Sequence, residues 1–187
     1  MEKIKVTLLY SFLFLMADDR IVTMSASGYK SLINSTNGKG LHWTTDVNSE
    51  LPVKVRTSGP GSERPLTVPQ FFLNQVKVSG DRNALHVERG GKVLTWTWSQ
   101  YYRESLNFAK AMHKLQITER SAVAIMGFNS PEWAISFIGS LFYNSVVTGI
   151  YTTNAPDACH YQVEHSDAEI IVVETNDMLK RFTLTLK

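Results

Sequence analysis

AVAIM at residues 122–126, VVTGIY at 146–151 and EIIVV at 169–173 are three short apolar runs, and the stretch that holds them decides the fold. AVAIM has no polar alternation at all, as expected of a strand covered on both faces. Ser130 precedes Pro131 after the first run, a capping residue followed by proline at the first helical position, where the missing N–H costs nothing. The helix predicted over 131–143 is apolar nearly all round: Trp133, Ile135, Phe137, Ile138, Leu141 and Phe142. It is too short to span a bilayer, so it is expected to lie buried between layers. Pro156 opens a more polar helix to about His165, and another begins over 177–182. The order is βαβαβ. Such crossovers are right-handed and build a parallel, doubly wound α/β sheet. Three strands leave exposed edges and one incomplete face, so the expectation is an incomplete sheet, the start of a larger α/β domain.

Upstream, Thr67 with Gln70 forms a capping-box pattern. A helix is predicted from there, with Val68, Phe71, Phe72 and Val76 as its apolar stripe and Gly80-Asp81 as its end. Segments 84–88 and 93–96 flank Gly90-Gly91 and read as a β-hairpin. Thr97 with Gln100 repeats the capping box. The long helix that follows, to about Lys114, gathers Tyr101, Phe108, Ala109, Met112 and Leu115 on one face. Arg103, Glu104, Asn107 and Lys110 lie opposite, so the aromatic stripe reads as core packing rather than a base-stacking surface. Residues 25–66 are polar and broken by glycine and proline, with a short strand expected at 51–56. SGPGS at 58–62 is a linker by composition. As a phosphate loop it lacks a following Lys-Ser/Thr.

Residues 6–17, VTLLYSFLFLMA, follow Lys3 and Lys5 and precede Asp18-Asp19-Arg20. A positive start and a short apolar core fit a secretory signal peptide, although Leu15 at −3 from Ala17 is not small. Equally, Met24 opens an ordinary start and the leader is an upstream extension. The second reading is favoured because nothing downstream looks secreted. The one N-x-S/T pattern is Asn34-Ser35-Thr36. The organisation expected is a leader or extension at 1–24, an irregular segment and linker at 25–66, and a partial α/β domain at 67–187.

The chain has 187 residues, 43% of them hydrophobic and 19% charged, which suits a buried core rather than disorder. Nineteen Lys and Arg against 17 Asp and Glu leave a net charge of +2, which makes no case for a nucleic-acid partner. One cysteine, Cys159, excludes an intramolecular disulfide framework and a cysteine-based zinc cluster. It reads as a structural thiol, although a helix start can lower a thiol pKa. His42, His86, His113, His160 and His165 lack metal spacing. Glu132 and Glu164 read as solvated helix residues rather than general bases. Ligands of open parallel sheets sit beyond the carboxyl ends of the strands. The loops there are 127–130, 151–154 and 174–177, rich in small polar groups that also serve as ordinary caps and turns.

These loops carry a family likeness. GFNSPEW at 127–133 and GIYTTNAP at 149–156 resemble the first core segments of AMP-forming acyl-CoA synthetases. His42-Trp43-Thr44-Thr45, SGPGSERPLTV at 58–68, LTWTWSQYY at 94–102 and EIIVVE at 169–174 point, in the same order, to the bubblegum-type long-chain subfamily. The likeness runs from about residue 41 to about 176. It implies the amino-terminal portion of an adenylate-forming (AMP-binding) large domain. The complete enzyme is a ligase of fatty acid metabolism that converts a long-chain fatty acid to acyl-adenylate and then acyl-CoA, using ATP, magnesium and coenzyme A.

The family's Ser/Thr/Gly-rich phosphate loop, its later adenine and ribose segments and its catalytic lysine lie beyond the part represented here. No catalytic, cofactor-binding or metal residue is therefore carried over, and the chain alone is expected to be inactive. Phe128, Asn129, Tyr151 and Thr152 are the residues expected to wall the substrate cleft. The resemblance also implies a cytoplasmic location with peripheral association at the endoplasmic reticulum membrane. Two alternatives stay open. One is a noncatalytic partner of a full-length synthetase, pairing through exposed sheet edges; the other is a small nucleotide-binding α/β module.

Overall fold

The computed structural model describes the backbone of residues 5–8, residues 45 and 53, and residues 55–183. Its elements are β1 (Lys5–Leu8), α1 (Val68–Ser79), β2 (Asn83–Arg89), β3 (Lys92–Thr97) and α2 (Trp98–Lys114). Then follow β4 (Ala122–Met126), α3 (Pro131–Phe142), β5 (Val146–Ile150), α4 (Pro156–Ser166), β6 (Ala168–Val173) and α5 (Asn176–Thr183). The chain divides into two compact units, 20–67 and a larger one made of 1–19 with 68–187. The asparagine of the N-x-S/T pattern, His42 and most of the apolar leader lie outside the described residues. Of the strand expected at 51–56, the described residues 53, 55 and 56 are not in a strand.

β4, β5 and β6 are parallel neighbours, as the apolar runs require. The sheet order is β1-β6-β4-β5, so a fourth strand joins the three expected ones. That strand comes from within the stretch read as a leader or extension. Lys5–Leu8 pairs parallel with β6 from Ile170 to Val173. A parallel partner can be drawn from any part of a chain, and four residues carry no pairing signal that sequence reading detects.

Side chains of β4 alternate between two cores. Val123 and Ile125 face one side with Ile170, Val172, Phe108 and Met112. Ala122, Ala124 and Met126 face the other with Ile171, Val173, Cys159, Val163, Met178 and Phe182. Strands buried on both faces must be apolar at every position, which is why AVAIM shows no period of two. The register slips between Ala122 and Val123, where Ala168 is followed by Ile170. The intervening Glu169 turns its carboxylate to the Thr118 N–H at 2.9 Å.

α3 lies between layers, as its all-round apolarity predicts. Trp133 and Phe137 pack toward the sheet, while Ile135, Ile138 and Phe142 meet Phe72, Tyr101 and Ala109 of α1 and α2. α2 and α3 approach closely at Gly139, where a Cβ would fall 2.7 Å from Phe108 Cβ and from the Ser105 carbonyl oxygen. Buried Tyr101 donates its hydroxyl to the Ala134 carbonyl at 3.0 Å, and burial pushes its phenol pKa far up. The Thr97–Gln100 capping box is formed in both directions. Ser130 Oγ accepts from the Trp133 N–H at 3.2 Å, with Pro131 opening the helix.

Two stripes differ from expectation. Val68 and Phe71 of α1 are exposed, and only Phe72, Leu73 and Val76 reach the core. α1 packs on α2 and α3 along one edge, so half of its apolar residues remain outside. Leu115 is exposed as well, because the long helix stops at Lys114 and leaves it as the C-cap. The hairpin turns at Gly90-Gly91, with φ of 58° and 72°. That left-handed pair suits a two-residue hairpin turn and disfavours any residue with a Cβ.

Candidate functional site

The chain leaves β4 through Gly127 into α3 on one face, and leaves β6 through Glu174 into α5 on the other. The carboxyl ends of β4 and β6 are therefore where successive connections part, the topological switch point of a doubly wound sheet. Two hydrogen bonds stitch it. The Glu174 N–H donates to the Met126 carbonyl at 3.1 Å. The Phe128 N–H donates to the Glu174 carboxylate at 2.6 Å. A charged acceptor makes that bond stronger than an ordinary peptide one.

Phe128 and Asn129 are exposed on this rim, and Phe128 keeps 63% of its surface open. Tyr151, 77% open, and half-buried Thr152 follow β5, on the other side of β4. The four residues thus share the carboxyl edge of the sheet on two separate loops. The second loop is braced from α5: Arg181 Nη1 donates to the Thr152 carbonyl at 2.6 Å and to the Asn154 carbonyl at 2.9 Å. The Asn154 side-chain amide reaches Gln162 at 2.9 Å.

Glu174 stands in a loop that sequence reading selected, but its bond across the switch point was not legible there. Arg181 had no local signal, because its carbonyl partners come from a loop 27 and 29 residues away.

Cys159 is fully buried, and its thiol lies 3.7 Å from the Asn154 carbonyl. Burial pushes its pKa up, only partly offset by the Arg181 charge. This supports the structural reading over an activated thiol. Glu164 is exposed. Glu132 overturns its expectation as a solvated residue. Its side chain is 7% exposed and forms a bidentate pair with Arg89, at 2.6 and 2.7 Å. The hairpin end folds over the first turn of α3 and brings the guanidinium there. Burial acts against the Glu132 charge, yet hydrogen bonds from Arg89 and from the backbone N–H of Glu132, the Arg89 charge and Ser130 hold the carboxyl below its usual range. Among the described residues, no three His, Cys, Asp or Glu side chains are grouped to hold a metal ion.

The family model for AMP-binding enzymes matches residues 72–185, from α1 through the last described helix. The chain belongs to the AMP-binding enzyme family. Within that family it is 37% identical over 171 residues to the long-chain-fatty-acid–CoA ligase ACSBG2 of Gallus gallus, a match covering 91% of this chain and 22% of that protein. It is 38% identical to ACSBG1 of Mus musculus over 74% of this chain and 19% of that protein. The resemblance to bubblegum-type synthetases read from the loops is thus borne out. The chain spans about a fifth of the length of these curated relatives. Among solved structures, the amino-terminal domain of FACL13 from Mycobacterium tuberculosis superposes with a TM-score of 0.58 at 18% identity, covering 64% of this chain and 30% of that one. The anthranilate CoA ligase AuaEII gives 0.55 at 20% identity, covering 62% and 22%. These likenesses show the fold alone, a doubly wound α/β sheet.

Proposed function

We propose that this chain is the opening part of the large domain of an ATP-dependent long-chain fatty acid–CoA ligase. The observation that carries the reading is the family match over 72–185 together with 32–38% identity to relatives named as such ligases. In the complete enzyme the carboxylate is activated as an acyl-adenylate with release of pyrophosphate, and the thiol of coenzyme A then displaces AMP. The chemical need is plain: a carboxylate acylates poorly until its oxygen becomes a good leaving group.

The residues at this switch point do not suit a triphosphate. The side chain that reaches across it is the Glu174 carboxylate, which repels phosphate. The nearby Arg181 has Nη1 committed to two backbone carbonyls. No nucleotide or magnesium step is assigned to these residues. Their role in this reading is to build one wall of the substrate cleft. The exposed rings of Phe128 and Tyr151 offer apolar surface, and Asn129 and Thr152 offer small polar groups beside it. Glu174 and Arg181 act as positioning residues for the two loops. No helix among the described residues is long and apolar enough to cross a membrane. A cytoplasmic location, with the apolar substrate met at the surface of the endoplasmic reticulum membrane, completes the reading.

A chimera tests it. Residues 41–176 replace the matching stretch of the Gallus gallus relative, and fatty-acid-dependent ATP–pyrophosphate exchange is measured. Exchange is expected to persist with the same long-chain preference. A folded chimera with no exchange overturns the reading.

A further inference from the structure

β6 has two neighbours. β4 lies on one side, and on the other Lys5, Val6, Thr7 and Leu8 run parallel beside Ile170, Ile171, Val172 and Val173. The direction in which the sheet grows is set by its helices. α4 and α5 both pack on the face lined by Cys159, Val163, Met178 and Phe182. Starting from β5, the chain crosses that face through α4, passes β4 and descends as β6. A right-handed crossover on the same face continues in the same direction. A parallel strand reached through α5 therefore lands beside β6 on the side away from β4. That place is held by Lys5–Leu8.

We propose that the outer edge of β6 is a strand-accepting site with two contending occupants: Lys5–Leu8, and a parallel strand reached by a right-handed crossover through α5 when the chain is continued. Only one parallel strand fits the unpaired N–H and C=O groups along one edge, because each group is used once. The edge needs an occupant. Ile170–Val173 is uncharged, β-branched throughout and buried, the kind of strand that pairs with other chains when left open. With Lys5–Leu8 in place the edge is closed from within the chain. When another strand takes the site, the Lys5–Leu8 backbone is released from its pairing with Ile170–Val173. The inference rests on the topology and stands whether or not the catalytic reading holds.

Hydrogen exchange on the intact 187-residue chain is the test. Backbone amides of Lys5–Leu8 and the outward amides of β6 are expected to be protected together, on the order of tenfold or more over unstructured chain. Val6→Pro and Thr7→Pro are then compared. Successive N–H groups of a strand point to opposite edges, so one of the two removes a donor to β6. That variant is expected to lose protection at both segments while the β4–β5 ladder, which reports an intact fold, stays protected. Unprotected amides at Lys5–Leu8 in the unsubstituted chain overturn the pairing, as does a β6 edge indifferent to both prolines. In a chain continued past Lys187 by the segment that follows the matched stretch in the Gallus gallus relative, Lys5–Leu8 is expected to lose protection while Ile170–Val173 keeps it. Retention at Lys5–Leu8 overturns the contention.

Discussion

Glu132 illustrates how far one residue's surroundings change its meaning. In the sequence it is an acidic residue in the first turn of a helix, where the dipole alone favours it. In the folded chain it is buried and forked by Arg89 from the hairpin. Its carboxyl pKa is lower in the folded state than in the unfolded one, so protonation favours unfolding. The pair's contribution is complete above the unfolded carboxylate value, about 4.3, and is lost as pH falls through the folded value. Urea midpoints measured from pH 7 down to 3 are expected to fall on this acid limb. Glu132→Gln should be less stable at pH 7 by about 1–2 kcal/mol, discounted because Arg89 is partly exposed, and should show a flatter acid limb. A variant that tracks the unsubstituted chain in parallel down to pH 3 would remove the pair from the account.

Among the elements, the α2–α3 contact is sensitive to a single added atom. Glycine in a helix interior ordinarily costs up to about 1 kcal/mol relative to alanine. Propensity alone therefore predicts that Gly139→Ala stabilises. Packing predicts the reverse, because the added Cβ meets Phe108 Cβ and the Ser105 carbonyl at 2.7 Å, and the carbonyl belongs to a helix backbone that must move as a unit. Overpacking of this kind costs about 1–3 kcal/mol, enough to outweigh the propensity gain. A lower thermal midpoint for Gly139→Ala is expected, and a higher one would mean that the two helices part without cost. Local signals served the elements well where they were local. The capping residues Thr97 and Ser130 do what their spacing predicts. They failed on α1, where periodicity marks Phe71 as core and the neighbouring helices cover only Phe72 and its companions.

At the scale of the whole molecule, the electrostatics of the switch point set the expectation for activity. A carboxylate bridging β4 and β6 offers nothing to stabilise the negative charge of a reacting triphosphate. The purified 187-residue chain is therefore expected to give no fatty-acid-dependent ATP–pyrophosphate exchange and no saturable ATP binding by calorimetry. Robust exchange would require a nucleotide site elsewhere in these residues and would revive the reading as a small nucleotide-binding module.

The sequence by itself determined the order of strands and helices from 67 to 182, the parallel doubly wound class and the rim loops at 127–130, 151–154 and 174–177. These depend on apolar runs, caps and crossover handedness, all of which act over a few tens of residues at most. Tertiary structure alone decided that Lys5–Leu8 closes the β6 edge, that Arg89 pairs with Glu132, that Glu174 spans to Phe128, and that Arg181 braces the loop after β5. Each joins groups distant in sequence through hydrogen bonds or charge, and such partners are chosen by the geometry of the assembled sheet and not by any neighbouring residue.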